Sequence, residues 1–160
     1  MKNKIIKVRE AMSKEVITVK RSTTLRQLLE IFADFHLFPL VPVVEEDGRL
    51  VGIVSFRNLI DVFSPYRQEI LKTVPFLDDQ EEDIFKAELT KDIGDLVVVE
   101  DIMETKFVSL QEDTTLEEAF KLMKLHLKEE FPVTDKTGKL VGKIGIFDII
   151  RRVFQEKGVI

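Results

Sequence analysis

The chain has 160 residues, 44% hydrophobic and 33% charged, the balance of a globular protein that builds one compact unit or two small half-domains rather than a two-domain enzyme. It contains no cysteine and only two histidines, His36 and His126, which excludes disulfides, thiolate zinc sites, cysteine nucleophiles and a multi-histidine metal centre. A formal net charge of −5 argues against gripping nucleic acid by its phosphates, and no apolar run approaches the roughly 18 residues of a membrane span, so a cytoplasmic protein with neither partner is expected.

In chain order, Val16-Ile17-Thr18-Val19 reads as a first strand, rich in β-branched residues and followed by polar turn residues. Thr24 and Gln27 have the spacing of a capping box, which predicts a helix start. Leu25, Leu28, Leu29 and Phe32 then supply an i, i+3, i+4, i+7 apolar stripe. Val41 to Val44 reads as a second strand, Glu46-Asp47-Gly48 as a turn, Leu50 to Ser55 as a third strand and Phe56 to Phe63 as a closing helix. Residues 64–98 form a linker. Its stretch Asp78 to Leu89 opens on acidic residues, which favour the positive end of a helix dipole, and it predicts a helix without a function.

The same order then repeats. Phe107 to Leu110 is the first strand, Thr115 with Glu118 the helix start, and Leu116, Ala119, Phe120 and Met123 the stripe. Phe131 to Thr134 is the second strand, Leu140 to Ile144 the third and Phe147 to Phe154 the closing helix. Gly48-Arg49-Leu50-Val51-Gly52 returns as Gly138-Lys139-Leu140-Val141-Gly142 at an offset of 90, whereas Met12 returns as Met103 at an offset of 91, so one residue is absorbed before Pro42. The fold class is therefore α+β, with repeat 1 over 8–63, the linker over 64–98 and repeat 2 over 99–155. A unit of about 50 residues buries too little surface to be comfortable alone, so the two β-α-β-β-α copies are expected to pack pseudo-symmetrically, sheet against sheet. The twelve phenylalanines fall mostly on helical stripes and read as core.

Gly52-Ile53-Val54-Ser55-Phe56-Arg57-Asn58 and Gly142-Lys143-Ile144-Gly145-Ile146-Phe147-Asp148 each close a Pro-Val strand and Gly turn of this order. Together they resemble the Gly-h-x-Ser/Thr-x-x-Asp signature of the CBS domain, in which a tandem pair forms a Bateman module. That resemblance implies a regulatory module binding an adenosine compound, such as AMP, ADP or ATP, in clefts between the copies. By the same resemblance the motif Asp holds ribose hydroxyls, the Ser/Thr meets phosphate, the residue five before the Asp packs on adenine, and residues around the other repeat's first strand complete each pocket.

Neither copy keeps the pattern whole. The first has Ile53 and Ser55 but Asn58 for Asp, which leaves one carbonyl acceptor for the ribose; Thr105, Lys106 and Val108 are its expected far wall. The second keeps Asp148 but has Gly145 for the hydroxyl, Lys143 at the apolar position and Glu129 and Glu130 where phosphate would be repelled; Thr18 lies on the strand that faces it. The Ser55 copy is favoured for a nucleotide. Plainer readings exist: Ser55 and Asn58 as helix caps, Asp148 as a first-turn acid, Lys106 as a solvated side chain and the histidines as surface residues.

Gly138 to Lys143 is not a phosphate loop, since three rather than four residues separate the glycines and Ile follows the Lys. Two functions remain: a ligand-sensing module that signals to a regulated protein, and a ligand-free dimerisation scaffold with degenerate pockets. An enzyme is disfavoured for want of a nucleophile–base pattern. A homodimer through residual apolar helix faces is expected, with no catalytic residue and no metal.

Overall fold

A computed structural model describes residues 4–62 and 92–160. The expected linker helix at Asp78 to Leu89 and the end of the first closing helix at Phe63 lie outside the described residues. The chain divides into two compact units that interleave along the sequence: a first unit of residues 18–45, 51–62 and 92–106, and a second of residues 4–17, 46–50 and 107–160.

In the first unit α1 (Leu25–Ile31) starts on the expected box. Thr24 Oγ1 accepts the Gln27 N–H at 3.1 Å, and Gln27 Oε1 accepts the Thr24 N–H at 3.0 Å. Leu25, Leu28 and Phe32 are buried, but Leu29, on the edge of the stripe, is 53% exposed. The two-stranded sheet is β1 (Val41–Val44) with β2 (Leu50–Val54), followed by α2 (Phe56–Val62). Two short helices, α3 (Ile93–Leu96) and α4 (Val99–Ile102), close the unit.

The second unit opens with a 3₁₀ turn, Val8–Glu10. It contains β3 (Leu110–Gln111), α5 (Leu116–His126), β4 (Glu130–Thr134), β5 (Leu140–Gly145) and α6 (Ile146–Glu156), with strand order β3-β4-β5. Thr115 Oγ1 caps α5 by accepting the Glu118 N–H at 3.2 Å. Leu116, Ala119 and Met123 are buried while Phe120, the counterpart of Leu29, is half-buried. Helix α6 begins at Ile146, after a full strand, as the rejection of a phosphate loop at Gly138 requires.

Each unit is completed by the segment that leads into and opens the other sequence repeat. In the first, the Leu25 N–H donates to Val97 C=O and the Val99 N–H to Thr23 C=O, both at 2.8 Å, and Val97, Val99 and Ile102 join Leu28, Val41, Val43 and Val54 in the core. In the second, the Leu116 N–H donates to Ile6 C=O at 2.9 Å and the Val8 N–H to Thr114 C=O at 2.8 Å, and Ile6 and Val8 join Ala119, Met123, Phe131 and Val133. Repeat boundaries in sequence and unit boundaries in space therefore differ.

This interleaving corrects the expectation for the first strands. Over Val16 to Val19 only Val19 pairs, in a parallel bridge to Val43; over Phe107 to Leu110 pairing begins only at Leu110, parallel to Val133. The reason is that these residues carry the chain from one unit to the other. Ser13 bridges Lys143 in the second unit before Val19 enters the first, and Glu104 bridges Ile53 in the first before Leu110 enters the second.

The bridges also explain the second glycine of each Gly-x-Leu-Val-Gly run. A Cβ on Gly52 would lie 2.8 Å from Met103 Sδ and 3.2 Å from Glu104 O, and one on Gly142 would lie 2.7 Å from Ser13 O and 2.8 Å from Met12 Sδ. The first glycine of each run, Gly48 or Gly138, turns the hairpin at φ +88° or +84°. The phenylalanine expectation holds in part. Phe32 and Phe131 are buried, but Phe35, Phe56, Phe147 and Phe154 are exposed, the last three on outward faces of α2 and α6.

Candidate functional site

Ile53 is the penultimate residue of β2, and both its main-chain groups bond Glu104: Ile53 N–H to Glu104 O at 3.0 Å and Glu104 N–H to Ile53 O at 2.8 Å. With 4% of its surface exposed, it offers little side chain to an adenine unless a neighbour moves. From the same bridge the chain continues into Thr105 and Lys106, both exposed. Thr18 is half-buried beside the bridged Val19.

Ser55 stands at the junction of β2 and α2, and its C=O accepts the Leu59 N–H at 3.3 Å. Asn58, the third residue of α2, reaches back to it. Asn58 Oδ1 accepts the Ser55 N–H at 2.7 Å and the Ser55 hydroxyl at 3.0 Å. The capping geometry of this pair is thus present, and both donors of Ser55 use the oxygen that the resemblance assigns to ribose. A backbone N–H needs an acceptor, so the amide is fixed with Oδ1 inward and Nδ2 outward. The Nδ2 group makes no hydrogen bond to a described residue.

Six of the eight expected ligand residues, Thr18, Ile53, Ser55, Asn58, Thr105 and Lys106, belong to the first unit; Val108 and Asp148 belong to the second. Val108 is part-buried against the second unit's core.

The second copy of the motif is engaged with itself. Lys143 Nζ lies 3.1 Å from Glu130 Oε1, with side chains 19% and 33% exposed. The β4–β5 register pairs Pro132 with Lys143 and Glu130 with Gly145, so the two charges sit diagonally across the hairpin. The departures read separately in the sequence are one ion pair. Asp148 Oδ2 accepts the Gly145 N–H at 2.8 Å and Oδ1 the Arg151 guanidinium at 3.0 Å, so the first-turn-acid reading is realised too. Arg151 was legible three residues on, as an i, i+3 partner. Gly145 is not required by space, since a Cβ there would meet its nearest atoms at 3.5 Å or more.

Both histidines are exposed, and the His126 ring stands edge-on to Phe131 at 6.3 Å. Among the described residues no cluster of three or more His, Cys, Asp or Glu is placed to hold a metal, and no helix is long and apolar enough to cross a membrane.

The CBS domain family model matches residues 8–65 and 99–155, the two segments that carry these motifs. The chain belongs to the CBS-domain family. A CBS domain-containing protein of Dictyostelium discoideum is 31% identical over 144 residues, covering 89% of this chain and 88% of that one. An inosine-5′-monophosphate dehydrogenase of Aquifex aeolicus is 27% identical over 149 residues, covering 93% of this chain but only 25% of the enzyme. Among solved structures, Arabidopsis thaliana CBSX2 in complex with AMP superposes with a TM-score of 0.71 at 23% identity, covering 95% of this chain and 98% of that one. The CBS pair of the protein MJ0100 in complex with 5′-methylthioadenosine and S-adenosyl-L-methionine superposes at 0.63 and 22%, covering 96% and 99%. These likenesses establish the pair fold.

Proposed function

We propose that this CBS pair is a cytoplasmic regulatory module that binds an adenine nucleotide or related adenosine compound through Thr18, Ile53, Ser55, Asn58, Thr105 and Lys106 and passes its occupancy to a regulated protein. The observation that carries this reading is chemical. AMP, 5′-methylthioadenosine and S-adenosyl-L-methionine, the ligands of the two CBS-pair complexes, share adenosine and differ in charge beyond it. The Ser55 copy keeps a hydroxyl and an outward amide at the two positions where the family meets such a ligand. The Asp148 copy spends its polar groups on Glu130, Gly145 and Arg151. One ligand per chain follows.

The chain matches only a quarter of the length of the inosine-5′-monophosphate dehydrogenase, and the activity of that whole enzyme stays with it. The module is further proposed to pair with a second copy of itself. Phe56 and Ile60 on α2 are 53% and 64% exposed, and Phe147, Ile150 and Phe154 on α6 are 68%, 42% and 46% exposed, at spacings that put each set on one helix face.

Thermal unfolding with adenosine, AMP or 5′-methylthioadenosine at millimolar concentration tests the ligand reading. A ligand at about 100 times its Kd adds about 2.7 kcal/mol, a rise of several degrees for a chain of this size. Unchanged melting with all three compounds would leave the ligand-free scaffold instead.

A further inference from the structure

We infer that Asn58 makes the Ser55 site select an adenosine compound whose ribose carries an anionic group, such as a 2′- or 3′-phosphate, over one with a bare pair of vicinal hydroxyls. This inference rests on the adenosine reading above and specifies which members of that class fit. A motif carboxylate accepts from two neighbouring hydroxyls, and it repels a phosphate attached to either. Replacing it with an amide removes the charge but, taken alone, keeps an acceptor and so leaves the diol a partner.

The geometry also occupies that acceptor. Asn58 Oδ1 takes the Ser55 N–H at 2.7 Å, which forbids a flip, and the Ser55 hydroxyl at 3.0 Å; a hydroxyl proton that turns to a ligand's 5′-phosphate frees one lone pair at most. What Asn58 turns outward is an NH2 group, two donors and no acceptor, half-buried and without a hydrogen bond to a described residue. A diol answers it with lone pairs, yet at least one of its two protons then lacks the acceptor that a carboxylate would supply. A phosphate oxygen answers it fully, because it is all acceptor and its charge strengthens the bond.

The surrounding charges of the unit are compatible. Lys106 is exposed two residues beyond the bridge to Ile53, and the guanidinium of Arg57, next to Asn58, lies 5.8 Å from the Phe56 ring centroid. Two acids belong to the same surroundings: Glu104 is bonded through its main chain to Ile53, and Asp61, three residues beyond Asn58 in α2, is exposed. The same logic operates in dinucleotide folds, where an acid on the ribose selects the free 2′-hydroxyl and its loss beside a cation admits the 2′-phosphate.

The test titrates AMP, adenosine 2′,5′-bisphosphate and adenosine 3′,5′-bisphosphate into the full chain and into Asn58→Asp. Aspartate keeps the cap on the Ser55 N–H, and an unchanged melting temperature confirms that the variant folds. The expected result is that at least one bisphosphate binds the native chain more tightly than AMP does. The ratio of the two affinities should then fall by about tenfold or more in Asn58→Asp, the scale of one charge-assisted hydrogen bond gained by the diol and lost by the phosphate. A native chain that prefers AMP to both bisphosphates, or a ratio unmoved by Asn58→Asp, overturns the inference and leaves the adenosine reading intact. Failure of all three compounds to bind either protein overturns the inference, and the adenosine reading falls with it when adenosine and 5′-methylthioadenosine fail to bind too.

Discussion

Adding one methyl group at Gly142 probes the interleaved architecture more sharply than any larger change. In Gly142→Ala the new Cβ would stand 2.7 Å from Ser13 O and 2.8 Å from Met12 Sδ. The sulfur is the end of a flexible side chain and can turn aside. The carbonyl cannot, because it accepts the Lys143 N–H at 2.9 Å, and the Ser13 N–H donates back to Lys143 O at 2.9 Å. Relief therefore means separating two backbone segments that hold the chain's leading residues on the second unit, and the cost is at or above the usual 1–3 kcal/mol of overpacking, about 3 kcal/mol. Gly52→Ala meets the mobile Met103 sulfur at 2.8 Å but backbone only at 3.2 Å, at Glu104 O, so about 1–2 kcal/mol is expected. Gly145→Ala has no contact under 3.5 Å and should stay within about 0.5 kcal/mol of the native chain. Urea denaturation of the three variants measures the order Gly142, Gly52, Gly145. Equal midpoints for Gly142→Ala and Gly145→Ala would refute the crossing at Ser13. In Gly52→Ala, the additional change Met103→Ala should recover part of the loss.

Asp135 has its pKa lowered from the ordinary carboxylate value, first by the hydroxyl of Thr137 and then by the N–H groups of Thr137 and Lys139. A folded pKa below the unfolded one contributes stability that is present above about pH 4 and lost as pH falls through the lowered value, so the gap between the urea midpoints of native and Asp135→Asn chains should be full at pH 7 and shrink as the pH falls below about 4. A gap that stays constant over that range contradicts the assignment. Leu127 ends α5 in the left-handed region at φ 54°, with 89% of its surface exposed. Leu127→Gly should relieve that strain and stabilise the chain by about 0.5–1 kcal/mol after the entropy glycine adds to the unfolded state, and a loss of stability would contradict it. Light scattering should give twice the chain mass, and Phe147→Glu with Phe154→Glu should halve it; a monomer of the native chain at micromolar concentration refutes the homodimer.

What the sequence made legible was local chemistry. The Thr24 and Thr115 caps and the Gly48 and Gly138 turns depend on residues a few positions apart, and each stands in the structure as read. The first strands were overread because β-branched composition at Val16 to Val19 describes a preference, while pairing depends on a distant β1 that only Val19 reaches. The exchange of leading segments was hidden for a related reason. Ile6 and Val8 look like the start of repeat 1, and nothing near them in sequence names Thr114 and Leu116 as their partners. At the site, residue types told which positions had changed but not what the changes do to one another. Lys143 and Glu130 read as two defects until the register set them diagonally opposite. The change from Asp to Asn at position 58 read as a weaker acceptor until the two Ser55 donors were seen to occupy it.

The central claim is that the ligand is held by the Ser55 copy of the motif, and calorimetric titration of AMP into Ser55→Ala and Asp148→Ala tests it most directly. Ser55→Ala leaves the Ser55-position N–H on Asn58 Oδ1, so folding should lose only about 0.5–1 kcal/mol while AMP binding weakens more than adenosine binding does. Asp148→Ala should leave AMP affinity within a factor of about two of the native chain, with one site per chain in both, since its carboxylate is engaged by Gly145 and Arg151. Affinity that collapses in Asp148→Ala and survives in Ser55→Ala would contradict the account.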